Sequence, residues 1–131
     1  MLRVFVYGTL KPGERNFERY CARSDVGNEP AVTRGCLYDL PMGYPAMTEG
    51  AGWVHGFVLR FEDPAALAAL DELEGYVPGR SETENEYYRA EVETYTPEQQ
   101  SLGPAWVYLM TTEQVQRFGG QMLQGGCWRS C

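Results

Sequence analysis

The feature that most constrains the fold is one strong helix pattern in a chain whose other regular segments are strand-like. Residues 63–75 carry it: Asp63 suits the N-cap, Pro64 suits the first helical position, and alanines and leucines follow. Gly75 is placed to end the helix in a left-handed conformation. Segments rich in β-branched and aromatic residues predict strands at residues 2–7, 31–40, 53–61, 87–95 and 105–110.

The order of these segments predicts an α+β fold, with a small mixed, β-barrel-like sheet and flanking α-helices. Strands and helices do not alternate regularly and no GxGxxG motif occurs, which argues against a dinucleotide-binding fold. The 131 residues fit one domain, and 44% of them are apolar, which is enough for a core. We expect one domain over residues 1–131, with residues 111–131 as an atypical, loosely ordered C-terminal segment.

Shorter features complete the expected layout. A helix is expected over residues 15–22, and another capped by Thr111 or Thr112 and ending at Phe118. The polar residues 77–86 predict a flexible flap beside the site. Within the strands, Gly35 predicts a bulge, and Gly56 predicts either a bulge or the close approach of another backbone.

The charge balance excludes several classes of partner. Eighteen acidic against eleven basic side chains give a net charge of −7, and no basic stripe is visible, which argues against nucleic-acid binding. No apolar run of about 18 residues is present, so we expect no membrane span. The N-terminus lacks the pattern of a signal peptide, and we expect a cytoplasmic protein. The oligomeric state is left open by the sequence.

The metal-binding residue types are too few for a recognisable site. No CxxC pair occurs among the four cysteines, and His55 is the single histidine, so we expect no metal. Without a signal peptide, thiols are favoured over disulfides.

The first strand ends in a glycine-containing turn, residues 7–13. Gly8 and Gly13 relieve the backbone of Cβ restrictions on either side of the turn. Backbone N–H groups at such a strand end can hold a carboxylate or an oxyanion. On spacing alone, an ordinary strand followed by a turn is the favoured interpretation.

The helix end carries an acidic side chain on its apolar side. At about 100° per residue, Glu74 falls within roughly 40° of the centre of the leucine stripe, whereas Glu72 falls about 160° away. Burial and the negative end of the helix dipole would both raise the pKa of Glu74. Such a pKa suits a general base that also returns a proton. From the pattern alone, a Glu74 side chain that bends into solvent is equally consistent.

Two motifs resemble the gamma-glutamylcyclotransferase-like family. YGTLKPG at residues 7–13 is similar to the family's signature loop, and LDELEGY at residues 70–76 is similar to its acidic segment. Weaker matches follow in the family's order at residues 43–46, 54–58, 88–92 and 105–108. The resemblance covers about residues 1–110, and the two main motifs together are fairly specific.

The resemblance implies a fold, an activity and a set of site residues. It implies a gamma-glutamylcyclotransferase-like barrel and the release of 5-oxoproline and a free amine from a small gamma-glutamyl amide, without metal or cofactor. Glu74 would be the catalytic base, Tyr7 would belong to the site, and the backbone of Gly8, Thr9 and Leu10 would bind substrate. The alternatives are a non-catalytic ligand-binding or regulatory module of the same fold, and a protein-interaction domain that uses the C-terminal tail.

Overall fold

The computed structural model of the protein describes residues 2–20, 25–81 and 84–129. In those ranges the elements follow the order β1 Leu2–Val6, α1 Arg15–Tyr20, β2 Asp25–Asp39, β3 Pro45–Phe61, α2 Ala66–Leu73, β4 Tyr88–Tyr95, β5 Ser101–Leu109, α3 Thr112–Arg117 and β6 Gln121–Met122. None of the described helices is long and apolar enough to cross a membrane.

Five strands close into a barrel. The hydrogen-bonded order is β3-β1-β5-β4-β2, and β2 pairs again with β3 to complete the ring, while β6 extends the sheet beside β2. The β1–β5 pair is parallel and the other pairs are antiparallel. The predicted α+β fold with a mixed, barrel-like sheet is therefore confirmed.

Two glycines allow the long strands to close. The pairing of β2 with β3 shifts register between Arg34 and Cys36, so the predicted bulge at Gly35 is confirmed. A Cβ added at Gly56 would lie 2.1 Å from the carbonyl oxygen of Val6. The absence of a side chain there lets β1 approach β3 closely, as the sequence predicts.

Residues 4–6 of the first strand are buried on both faces of the sheet, which explains why all three are apolar. Val4 and Val6 pack into a cluster that includes Leu70 of α2 and Val115 of α3. Phe5, by contrast, packs into a second cluster built from the other strands and Trp128. Because β1 contributes to both clusters, the backbone that follows it is held firmly in place.

Helix α2 begins and ends through specific hydrogen bonds. The Asp63 carboxylate accepts from the N–H of Ala65 at 2.9 Å, which caps a turn just before the helix. At the other end Gly75 has φ +67°, and its N–H donates to Glu72 at 3.2 Å while that of Tyr76 donates to Asp71 at 2.9 Å. These two bonds form a Schellman motif and confirm the predicted left-handed end.

Several predicted boundaries differ from those of the structure. Strands β2 and β3 begin earlier than predicted, at Asp25 rather than residue 31 and at Pro45 rather than residue 53. The early start of β3 is possible because proline is tolerated at the first position of a strand. Strand β5 begins at Ser101 rather than at residue 105. The predicted cap of α3 is confirmed at Thr111, whose hydroxyl accepts from the N–H of Gln114 at 3.2 Å. Helix α1 begins at Arg15, and the predicted end at residue 22 lies outside the described residues.

The C-terminal segment makes more contacts than its composition suggests. Trp128 is buried, and its indole N–H donates to Asp39 at 3.2 Å. The Trp128 carbonyl oxygen accepts a 2.6 Å bond from the ammonium of Lys11. A buried aromatic ring with both polar groups paired holds this segment against the barrel, in contrast to the expected loose order.

The loop over residues 77–86 is organised around one buried amide. The side-chain oxygen of Asn85 accepts from the N–H of Val77 at 2.9 Å and from the Arg80 guanidinium at 2.7 Å. The side chain of Gln114 in α3 donates to the Asn85 carbonyl at 2.7 Å. The hydrogen bonds of Asn85, which the sequence did not predict, anchor the loop to the domain. Most of the described side chains of the loop are nevertheless exposed. Flexibility of the loop stays a prediction.

The cysteines divide into two states. Cys36 is a free thiol. Cys127 is disulfide-bonded, so the expectation of a thiol at this position is wrong. That expectation came from the missing signal peptide, which bears on the compartment and not on which sulfurs lie close together.

Candidate active site

One cavity of about 270 Å³ lies where β1 ends and the last turn of α2 approaches the barrel. The five residues predicted for the site, Tyr7, Gly8, Thr9, Leu10 and Glu74, all line it. The sequence-based prediction that the two motifs meet is therefore confirmed at the level of geometry. The remaining lining residues are Phe5, Val6, Arg15, Asn16, Tyr44, Pro45, Leu73, Glu86, Tyr87 and Tyr108.

The turn after β1 is fixed by its own backbone and by α1. The N–H of Lys11 donates to the carbonyl of Gly8 at 3.0 Å, which closes the turn. Asn16 then binds Thr9 twice, through its backbone N–H at 2.9 Å and through its side-chain amide at 2.8 Å. Among the turn and loop backbone bonds of the described residues, none is donated by the N–H groups of residues 8–10.

Gly8 is required by its neighbour across the cavity. A Cβ at this position would lie 2.6 Å from Cγ of Pro45, which is closer than carbon atoms approach without displacement. Pro45 begins β3, so the turn and the β2–β3 connection are packed directly together. The glycine in the signature loop therefore serves packing as well as access to the backbone donors.

Glu74 occupies the C-cap of α2, where the Schellman motif holds its backbone. Its carbonyl oxygen also accepts from the N–H of Tyr87 at 3.3 Å, which ties the helix end to the start of β4. Burial and, secondarily, the negative charge of Glu86 raise the pKa of the Glu74 carboxyl from 4.5 to about 8. The helical geometry is also confirmed, since Glu72 is exposed and absent from the cavity lining.

Three buried tyrosines form the walls of the cavity, and each hydroxyl donates inside the protein. Tyr7 donates to the carbonyl of Tyr108 at 2.6 Å, and Tyr87 donates to the carbonyl of Pro45 at 2.7 Å. Tyr108 in turn donates to the Asp71 carboxylate at 2.7 Å. Burial raises the pKa of all three phenols, so they remain neutral near pH 7. In this structure Tyr7 therefore forms part of the cavity wall, with its hydroxyl proton already donated to the protein.

The second carboxylate of α2, Asp71, has its charge satisfied. It accepts from Arg89 of β4 at 2.5 Å in addition to the Tyr108 hydroxyl. The Arg89 guanidinium lies over the rings of Tyr76 at 5.2 Å and Trp106 at 4.8 Å. Two acidic residues three positions apart at the end of α2 therefore have different environments. Asp71 forms an ion pair, whereas burial raises the pKa of Glu74.

Arg89→Met is expected to destabilise the protein by about 3 kcal/mol, because it leaves the mostly buried Asp71 carboxylate without its cation. The free energy of unfolding in urea measures this change. In the Arg89→Met background, Asp71→Asn should recover part of the loss, since the unpaired charge is then gone. Simple addition of the two single losses would contradict the proposed coupling.

The mouth of the cavity contains residues that sequence reasoning missed. Arg15 donates to the carbonyl of Gly43 at 3.4 Å, and the hydroxyl of Tyr44 donates to Glu86 at 3.5 Å. Tyr44 lies in the weaker family match at residues 43–46, which carried no predicted site role. Nothing in the sequence indicates that Arg15 or Glu86 belongs to the site, because each is an exposed charged residue at the edge of a predicted element.

A metal site is not apparent in the described part of the chain. Within residues 2–20, 25–81 and 84–129, no group of three or more His, Cys, Asp or Glu side chains could hold an ion. His55, expected to be structural or at the surface, is partly buried in β3 and is not among the cavity residues.

The fold and the cavity define an α+β barrel protein in which a carboxyl of raised pKa at the end of a helix and a glycine turn line the same cavity. The chain belongs to the gamma-glutamyl cyclotransferase, AIG2-like family, whose sequence model matches residues 4–130. The match includes most of residues 111–131, which we expected to be atypical.

Individual relatives agree with this assignment. A Vibrio cholerae protein whose gamma-glutamylcyclotransferase name is provisional is 39% identical over 81% of this chain and 79% of its own length. The gamma-L-glutamyl-butirosin B gamma-glutamyl cyclotransferase of Niallia circulans is 32% identical over 82% of this chain and 67% of its own. The solution structure of Escherichia coli YtfP superimposes with a TM-score of 0.65 at 30% identity, covering 98% of this chain and 97% of that one.

Proposed function

We propose that the protein is a gamma-glutamyl cyclotransferase that releases 5-oxoproline and a free amine from a small gamma-glutamyl amide. The α-amino nitrogen of the substrate attacks its own γ-carbonyl carbon, and a five-membered ring closes. The bond from that carbon to the amide nitrogen then breaks, and the leaving amine takes up a proton. Since the nucleophile and the electrophile belong to one molecule, a correctly folded substrate supplies much of the rate enhancement.

The observation that carries this proposal is the position of Glu74. Its carboxyl lines the cavity opposite the donor turn of residues 8–10, and burial raises its pKa to about 8. One such group can take the proton from the α-ammonium and return a proton to the leaving amine. A bound ammonium beside it favours the ionised form, so binding itself prepares the base.

The turn supplies the complementary contacts. The N–H groups of Gly8, Thr9 and Leu10 would hold the substrate carboxylate or the oxyanion that forms when nitrogen adds to the carbonyl. The tyrosine walls are apolar apart from hydroxyls already used in internal bonds, so they exclude water without competing for the substrate. The reaction balances without a co-reactant: one C–N bond forms, one C–N bond breaks, and the proton lost by the α-ammonium is returned to the leaving amine.

The test is a panel of gamma-glutamyl compounds, including gamma-glutamyl amino acids, gamma-glutamyl-ε-lysine and gamma-glutamylamines. Release of 5-oxoproline from at least one compound, detected by chromatography, is the expected result. Calorimetric binding of the same compounds is measured in parallel. Binding without any 5-oxoproline release would overturn the enzyme assignment in favour of a non-catalytic ligand-binding module.

A further inference from the structure

The mouth of the cavity carries an acidic side chain that the proposed reaction does not use. Glu86 lines the cavity and is exposed, whereas Tyr7 and Gly8 at the other end are buried. The backbone fixes its position, because the N–H of Glu86 donates to the carbonyl of Gly75 at 3.3 Å. Glu86 is thus attached to the end of α2, directly beside Glu74.

The Glu86 carboxylate has a neutral partner rather than a cation. The phenol of Tyr44 donates to it at 3.5 Å. The ion pairs formed among the described residues join Arg89 to Asp71 and Arg129 to Glu14, and neither includes Glu86. Its negative charge is close enough to raise the pKa of Glu74, so its field reaches the reacting groups.

The cation at the mouth is placed to serve another part of the substrate. Arg15 begins α1, one residue before Asn16, which binds Thr9 of the turn. Arg15 therefore belongs to the turn side of the cavity, where a substrate carboxylate would lie. Glu86 belongs to the helix-end side, past which the amine half of the substrate would extend toward solvent.

We propose that Glu86 is a specificity-determining residue, which selects gamma-glutamyl amides whose amine half carries an additional positive charge. This inference rests on the proposed function. A distal ammonium beside Glu86 gains an opposite charge that no described cation already neutralises. A distal carboxylate would instead meet a like charge at the mouth, which raises the cost of binding.

Three gamma-glutamyl amides of equal length test the proposal, those of diaminobutane, butylamine and aminobutanoic acid. They differ in the charge at the far end, which is positive, neutral and negative. We expect kcat/KM of the wild type to fall by about 10-fold at each step in that order. The differences should shrink as salt is added, because the mouth is exposed to solvent.

Glu86→Gln should bring the three values of kcat/KM to within about 3-fold of one another. Most of this change should come from the charged amides, since the neutral one makes no ionic contact. Glu86→Lys should reverse the order. Glu72→Gln removes one acidic charge from the solvent side of the same helix, outside the cavity, and should keep the wild-type order. Unchanged ratios in Glu86→Gln would overturn the proposal.

The same compounds separate this inference from the proposed function. If no 5-oxoproline is released from any of them, the cyclotransferase proposal fails, and their dissociation constants then test Glu86. Charge-ordered affinities that disappear in Glu86→Gln would support charge selection without turnover. Affinities that are independent of charge in both proteins would overturn it.

Discussion

Glu74→Gln is expected to lower the release of 5-oxoproline by about 10²–10⁴-fold. Glutamine keeps the size of the side chain and much of its hydrogen-bonding shape, but it cannot take a proton from the α-ammonium. Binding of a gamma-glutamyl ligand should survive, because the backbone donors of residues 8–10 are unchanged. Steady-state kinetics and calorimetry on the same preparation measure the two effects.

Glu72→Gln is the matched control, because it removes the same charge two residues away. The Glu72 side chain is exposed and does not line the cavity. The rate of Glu72→Gln should therefore stay close to that of the wild type. Wild-type release by Glu74→Gln would refute its role as the base. Equal damage from both substitutions would instead indicate that the helix end has a structural role.

The wild type is expected to lose about 4 kcal/mol of stability relative to Glu74→Gln between roughly pH 5 and pH 9. Burial raises the pKa of Glu74 from 4.5 to about 8. Between these values the unfolded chain releases the proton that the folded protein retains. Each pH unit in that window therefore costs about 1.4 kcal/mol, and the loss levels off above the folded pKa.

Urea unfolding of both proteins across this pH range provides the measurement. All other ionisable groups are present in both proteins, so the difference reports mainly on Glu74. Glu72→Gln should show an almost constant difference from the wild type. A constant difference for Glu74→Gln would mean that its carboxyl is solvated rather than buried. If both expectations hold, Glu74→Gln is almost inactive and, at high pH, more stable than the wild type.

The part of the site that the sequence predicts depends on helical periodicity. Residues of a regular helix have fixed angles, so the leucine pattern places Glu74 on the apolar side of the helix and Glu72 on the solvent side. The pattern leaves open whether the Glu74 side chain enters the cavity or bends into solvent. Burial was expected as one of two causes of the raised pKa, the other being the helix dipole; in the structure burial is the largest cause and Glu86 the second. The contribution of Glu86 was not expected, because Glu86 reaches the helix end from the opposite side of a loop. Contacts between distant segments leave no periodic signal in one sequence.

The same limit applies to the fold. The existence of strands follows from β-branched and aromatic runs. The bulge follows from Gly35, and the close approach of β1 to β3 follows from Gly56. The Gly and Gln content of the C-terminal segment suggests loose order, and it gives no indication that Trp128 is buried. A single anchoring residue is invisible to arguments from composition.

The parallel contact of β1 with β5 has a consequence for synthesis of the protein. The Tyr7 hydroxyl meets the carbonyl of Tyr108 across 101 positions, and Lys11 reaches Trp128 across 117. At roughly 5–20 residues per second, the N-terminal strand waits about 5–20 s on the ribosome before its last partners emerge. The nascent chain must therefore keep an apolar strand shielded during this interval, and the cavity cannot be completed before Tyr108 has been synthesised.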